Sequence, residues 1–261
     1  MGYLLVFVRV VAVGVVYLGF AVIGGVLKTA GFIAKKRRHH LIAWFTGLWA
    51  RSSCFLLNIQ LEIEGVAKIK QGSLIVANHI GAPDIFVLGK CFPGFFVSKA
   101  DITEWPLFGL LARLGEVILA QRDQRHQVKE IIAEMSSRLK EDCSVILFPE
   151  GQATDGREVR VFKTSTFAAA IQAECDVVPV TLIYHDGNRP SIACWHEVTF
   201  LEHILRLLKN RRLGVTVFVH PVLRGETERR ELASKSFTLI SATHAREETQ
   251  RQSAIHSHQW V

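Results

Sequence analysis

The cysteines of this sequence fall into no recognisable pairs. Cys54, Cys91, Cys143, Cys175 and Cys194 make no CxxC motif and no metal-ligand spacing. Neither a disulfide framework nor a structural zinc site is therefore expected. An odd, scattered set suits reduced thiols acting as small core residues in a cytoplasmic domain. The histidines offer no substitute: His39-His40 stand in a basic run, and His256 and His258 in a polar tail. The sequence thus calls for no metal and no cofactor. Internal repeats are missing too, which sets aside solenoids and arrays. No basic groove interleaved with aromatics and no nucleic-acid motif is present, so nucleic acid is not an expected partner.

The widest gap is in charge. From residue 10 to residue 27 there is no charged side chain. Such a helix spans roughly 27 Å, just short of a bilayer core of about 30 Å. Arg9 precedes the run, while Lys28 and then Lys35-Lys36-Arg37-Arg38 follow it. A secretory signal would carry its basic cluster in front and a small-residue cleavage site behind, and this segment has neither. If the segment spans, the positive-inside bias places everything after residue 34 in the cytoplasm. A second apolar stretch, 41–57, is broken by Arg51 and carries Trp44 and Trp49, residue types that suit the headgroup level. Two arrangements remain: a spanning helix followed by an interfacial one, or a helical hairpin dipping into one leaflet. Both tether the chain to a membrane.

What is present fits that picture. Hydrophobic residues make up 49% of the 261 residues, and the net charge of +7 suits anionic partners such as lipid or phosphorylated substrates. The length allows one substantial core plus an appendage. The expected division is membrane-anchoring helices over 1–57, a catalytic domain over 58–225, and a C-terminal helix with a disordered tail over 226–261. Short apolar runs predict strands at 60–64, 74–77, 94–99, 117–120, 144–148 and 177–183, with 195–200 and 214–219 closing the sheet. Helices are expected at 83–90, 105–113, 127–140, 166–173 and 226–249. The alternation indicates an α/β fold, a mixed sheet flanked by helices.

Chemistry concentrates at the ends of these strands. The buried run 74–77 delivers Asn78 and His79 to a turn, and Pro83 suits the first turn of the helix that follows. Asp84 then lies where its carboxylate folds back on the His79 imidazole, making a base held by an acid. Lys99 and Arg122 each follow an apolar strand, as does Phe148-Pro149-Glu150-Gly151, with Phe162-Lys163 shortly after. Cations from several segments at one edge suit a phosphate, which takes Arg forks and Lys point charges together.

Here the chain resembles the glycerolipid acyltransferases typified by the bacterial 1-acylglycerol-3-phosphate acyltransferase. Their hallmark, Asn-His, four residues and Asp, is matched by Asn78, His79 and Asp84. A second block resembles Phe96-Val97-Ser98-Lys99 with Trp105-Pro106-Leu107-Phe108-Gly109 and Arg122. A third resembles Phe148-Pro149-Glu150-Gly151 with Phe162-Lys163, and a fourth Val178-Pro179-Val180. The resemblance covers about residues 60 to 225 and implies an αβ domain behind a membrane-bound helical motif. Two departures stand out: Gln152 where the family usually has Thr, and Ser165 where it often has Gly. The run Thr154-Asp155-Gly156 and the later Trp195 and His203 look more like the branch of lyso-ornithine-lipid acyltransferases.

The resemblance implies O-acyl transfer from acyl-CoA or acyl-ACP to a lysophospholipid hydroxyl, first of all 1-acyl-sn-glycerol-3-phosphate giving phosphatidic acid. The alternative acceptor is a lyso-ornithine lipid. His79 would be the base and Asp84 its partner; Lys99, Arg122 and Lys163 would hold the acceptor phosphate, Glu150 with Gly151 would orient the glycerol, and Asn78 would support the site. The rivals are a non-catalytic membrane lipid-binding protein and a membrane-tethered thioesterase that uses water.

Overall fold

A computed structural model describes residues 2–29, 35–65, 69–105, 108–120, 125–188 and 190–258. Apolar runs with β-branched residues form the strands β1 (Ile59–Glu64), β2 (Leu74–Ala77), β3 (Gly94–Lys99), β4 (Ile118–Ala120), β5 (Ser144–Leu147), β6 (Val177–His185) and β7 (Leu213–Val219). They make one sheet in the order β1-β7-β6-β2-β5-β3-β4. Among the pairings of these seven strands only β6–β7 is antiparallel, with Val180 opposite Val219, so the sheet is mixed as expected.

The strand period of two divides the core. Ile75 and Ala77 of β2 face one layer, with Val87 and Leu88 of α3 (Ala82–Cys91). Leu74 and Val76 face the other, with Phe95, Met135 and Phe167. That second layer is covered by α5 (Arg125–Lys140), α6 (Ala168–Ala173) and α8 (Arg229–His258). All five cysteines are free; Cys54, Cys143 and Cys194 are buried.

The two N-terminal helices lie against this domain. In α1 (Gly2–Thr29), Arg9 is buried and donates to the carbonyls of Leu208 at 3.0 Å and Asn210. Those carbonyls belong to the carboxyl end of α7 (Phe200–Lys209), where helical C=O groups lack internal partners. Near the other end of α1, Lys28 donates to the Arg113 carbonyl at 3.2 Å, at the end of α4 (Phe108–Leu114). Midway, the Tyr17 hydroxyl meets Ser53 Oγ at 2.9 Å. Helix α1 therefore lies along the domain. Its outward side is an apolar stripe at helical spacing, Leu4, Phe7, Val11, Val15, Leu18, Val22 and Val26, all exposed. Trp44, Leu48 and Phe55 of α2 (Lys35–Leu56) are exposed as well.

Several local expectations differ from the structure. Trp49, assigned to a membrane interface, is half-buried with its ring 5.6 Å from Tyr17 and 5.3 Å from Phe86. Helix α2 buries Ile42, Ala43, Ala50 and Cys54 in the core, so the segment before residue 57 shares its second helix with the domain. The stretch 195–200 is no strand: it leads into α7, whose first turn is capped by Thr199 Oγ1 accepting the Glu202 N–H at 3.2 Å. The apolar period of α7 buries Leu207 and Leu208 a turn beyond His203. Residues 100–104 form a 3₁₀ helix before α4, and Ser165–Phe167 forms another ahead of α6. Helix α8 continues to His258, past residue 249. Pro106, Leu107 and Arg122 lie outside the described residues.

Candidate functional site

Parallel strands β2, β5, β3 and β6 bring their carboxyl ends to one edge of the sheet, and the site grows from β2. Asn78 follows Ala77 and is buried; its Nδ2 donates to the Leu182 carbonyl at 3.1 Å and its Oδ1 accepts the Leu182 N–H at 2.8 Å. The amide thus extends the β2–β6 ladder by one rung. Asn78, grouped with substrate-binding residues from the sequence, has its side chain committed to β6 and supports the loop from within the sheet.

His79 comes next, with its side chain 17% exposed and its ring stacked on Phe148 at 4.1 Å. Its Nδ1 lies 2.7 Å from Asp84 Oδ2. Asp84 is fully buried in the first turn of α3, and Oδ2 also accepts the N–H groups of Ile80 at 2.7 Å and Gly81 at 3.0 Å. The Tyr184 hydroxyl donates to Oδ1 at 2.7 Å. Four donors therefore hold this carboxylate in one orientation. With Nδ1–H directed at Asp84, the proton-accepting nitrogen is Nε2, and the imidazole is arranged as a general base.

The turn between them tolerates no side chain at Gly81, where a Cβ would come within 2.0 Å of the Ala193 carbonyl. That segment clamps the turn: the Trp195 N–H donates to the Ile80 carbonyl at 2.6 Å. The Ala82 N–H donates to His203 Nε2 at 3.2 Å. Burial pushes the His203 pKa down to about 4, which keeps its ring neutral and able to accept.

Glu150 joins from the loop after β5. Its Oε1 accepts the His79 N–H and its Oε2 the Arg160 N–H, each at 2.8 Å. Burial raises its pKa to about 7, against the downward pull of those two N–H groups. Between pH 4.5 and 7 the folded protein holds a proton that the unfolded chain has released. The resulting stability is complete below about pH 4.5 and is lost as pH rises through 7. Glu150→Gln is expected to flatten that slope, measured as the urea midpoint at pH 5 and pH 7.5 in both proteins. Equal slopes would count against the burial of an ionisable Glu150.

Gly151 adopts φ +78°, a backbone conformation that calls for glycine, and a Cβ there would lie 2.6 Å from Lys163 Nζ, the movable end of a flexible side chain. Lys163 is exposed and reaches over Gly151 beside Glu150; its backbone N–H donates to the Pro149 carbonyl at 2.9 Å. Lys99 ends β3 on the same edge, with β5 between it and β2. The structure thus gathers His79, Asp84, Glu150, Gly151 and Lys163, and places Lys99 farther along the edge. Tyr184 was not singled out from the sequence, since a tyrosine ending an apolar strand carries no local signal. His203 stood out only as part of a branch pattern. Among the described residues no cluster of three or more His, Cys, Asp or Glu is placed to hold a metal ion.

The family described as Acyltransferase matches residues 58–183. The chain is 32% identical over 190 residues to the lyso-ornithine lipid O-acyltransferase of Rhizobium meliloti, covering 67% of this chain and 65% of that one. It is 30% identical over 205 residues to the enzyme of the same name from Pseudomonas aeruginosa, covering 76% of each. The crystal structure of the 1-acyl-sn-glycerophosphate (LPA) acyltransferase PlsC from Thermotoga maritima has the same fold, with a TM-score of 0.65. It shares 16% identity, and the match covers 95% of this chain and 98% of that one.

Proposed function

The chain belongs to the acyltransferase family, and from that premise we propose that it is a membrane-associated O-acyltransferase. It moves an acyl chain from the thioester of acyl-CoA or acyl-ACP to the free hydroxyl of a lysolipid. The observation that carries this reading is the His79 Nδ1 to Asp84 Oδ2 contact at 2.7 Å, reinforced by Tyr184.

In this mechanism the acceptor hydroxyl gives its proton to His79 Nε2 as its oxygen attacks the thioester carbonyl. Asp84 keeps the imidazole in the required tautomer and stabilises the imidazolium. Collapse of the tetrahedral intermediate forms the ester, breaks the C–S bond and expels a thiolate, which takes the proton back from His79. No protein nucleophile is needed. Glu150 and Gly151 orient the acceptor, and Lys99, Arg122 and Lys163 supply positive charge where the phosphate of a lysophosphatidate enters. The exposed apolar stripe of α1, with Trp44, Leu48 and Phe55 of α2, enters one leaflet on the cytoplasmic side. This surface faces lipid without crossing the bilayer, because both ends of α1 are tied to the domain.

A lyso-ornithine lipid is the first acceptor, supported by the names of the two relatives and by Gln152 and Ser165 at positions of departure from the phosphate-using pattern. Lysophosphatidate is the second reading, favoured by Lys163 beside Glu150 and Lys99 on the same edge. The test offers the full-length protein labelled acyl-ACP or acyl-CoA with each lysolipid. Transfer to lyso-ornithine lipid is expected to exceed transfer to lysophosphatidate. Free fatty acid released at the same rate with or without a lysolipid would mean a thioesterase, and no turnover of thioester at all would sink catalysis.

A further inference from the structure

A cavity of about 190 Å³ lies beside the His79 loop, on the β6 side. Ile80 and Tyr184 contribute to its wall, and Asp155, Arg157, Glu248 and Arg251 bring two charges of each sign to it. The first pair comes from the segment after β5 and the second from α8. Ile80 directly follows His79, and Tyr184 holds Asp84, so the cavity shares its wall with the proposed catalytic machinery. In the strand order β6 and β3 lie on opposite sides of β2. The cavity and Lys99 therefore flank His79 from opposite directions.

Asp155 pairs with Arg157 at 3.4 Å and Glu248 with Arg251 at 3.0 Å, and Arg251 also meets His185 Nδ1 at 3.4 Å. Arg157 is 84% exposed in its pair, and an ion pair open to solvent contributes little, so Asp155 and Arg157 exchange partners at little cost; the Glu248–Arg251 pair is more enclosed. His244, also in the wall, has its pKa lowered by burial and adds no charge at neutral pH. A phosphate monoester entering here would meet two carboxylates. An uncharged polyol would leave both ion pairs unused. A ligand with one carboxylate and one ammonium gives each of the four side chains an opposite charge.

We propose that this cavity seats the zwitterionic amino-acid headgroup of the acceptor lipid, its carboxylate on Arg157 and Arg251 and its ammonium on Asp155 and Glu248. The assignment rests on the lyso-ornithine reading above. A headgroup anchored here leaves the attached acyl portion, with its hydroxyl, to reach His79 around Ile80.

Steady-state kinetics of Arg251→Gln and Asp155→Asn, with the acceptor varied at saturating donor, test the assignment. The asparagine keeps an oxygen to accept the Arg157 N–H that Asp155 Oδ1 binds at 3.1 Å. Each variant is expected to raise KM for lyso-ornithine lipid roughly 10- to 100-fold, the range for one charge-assisted bond. The KM for lysophosphatidate and the melting temperature should stay at wild-type values. Free ornithine should compete with the lipid in the wild type, and far less in Arg251→Gln. If the wild type uses lyso-ornithine lipid and both variants match it, the cavity assignment fails while the acceptor reading stands. Parallel loss on both acceptors would also overturn it, as a general structural defect. A wild type that acylates only lysophosphatidate overturns the acceptor reading and this assignment together.

Discussion

His79→Ala is expected to lower acyl transfer by about 10²- to 10⁴-fold, the usual contribution of a positioned base, with the fold preserved. The imidazole is partly exposed, and its contacts are the Phe148 ring and the Asp84 carboxylate. Its removal leaves the backbone bonds to Glu150 and Thr154 in place. Asp84→Asn should cost transfer a similar amount for two reasons. The amide cannot stabilise an imidazolium, and an NH₂ in place of Oδ2 would face the N–H groups of Ile80 and Gly81. Unlike the alanine variant, it should therefore also lose stability, since buried donors are left unpaired. Transfer of labelled acyl groups together with thermal melting separates the two effects. His79→Ala activity within tenfold of wild type would refute the assignment of the base.

Deleting residues 1–57 is expected to abolish folding, not to release a soluble catalytic domain. Helices α2 and α3 approach closely through small residues: a Cβ on Gly47 would come within 2.8 Å of Pro93, and one on Gly89 within 2.9 Å of Ala50. Trp49 covers Phe86, and Ile42, Cys54 and Leu57 are buried. Withdrawing cover from a large apolar side chain costs about 1.5–3 kcal/mol. Uncovering a few such side chains therefore removes a large share of the roughly 5–15 kcal/mol that holds a typical domain. A chain beginning at residue 35 keeps α2; it should still melt cooperatively while partitioning less onto anionic vesicles, having lost the α1 stripe. A cooperative melt of the fragment 58–261 would overturn this account of α2.

The sequence by itself determined the local devices. The apolar run 74–77, the turn at Gly81, and Pro83 and Asp84 in the first helical turn all act within eleven residues, where backbone preference and side-chain reach are set by neighbours in the chain. The strands and most helices were legible for the same reason, and so was the uncharged N-terminal run. Only the tertiary structure decided what lies against those devices. Tyr184 reaches Asp84 across 100 residues and His203 reaches Ala82 across 121; these contacts depend on β6 lying beside β2 and on α7 packing behind the turn. The same strand pairing turned Asn78 into a rung on Leu182. Arg9 illustrates the limit most plainly. In sequence it is a flanking charge of an apolar helix, whereas in the fold it serves carbonyls 199 and 201 residues away. Local pattern decides which face of an element is apolar; the packing of distant elements decides whether that face meets protein or lipid.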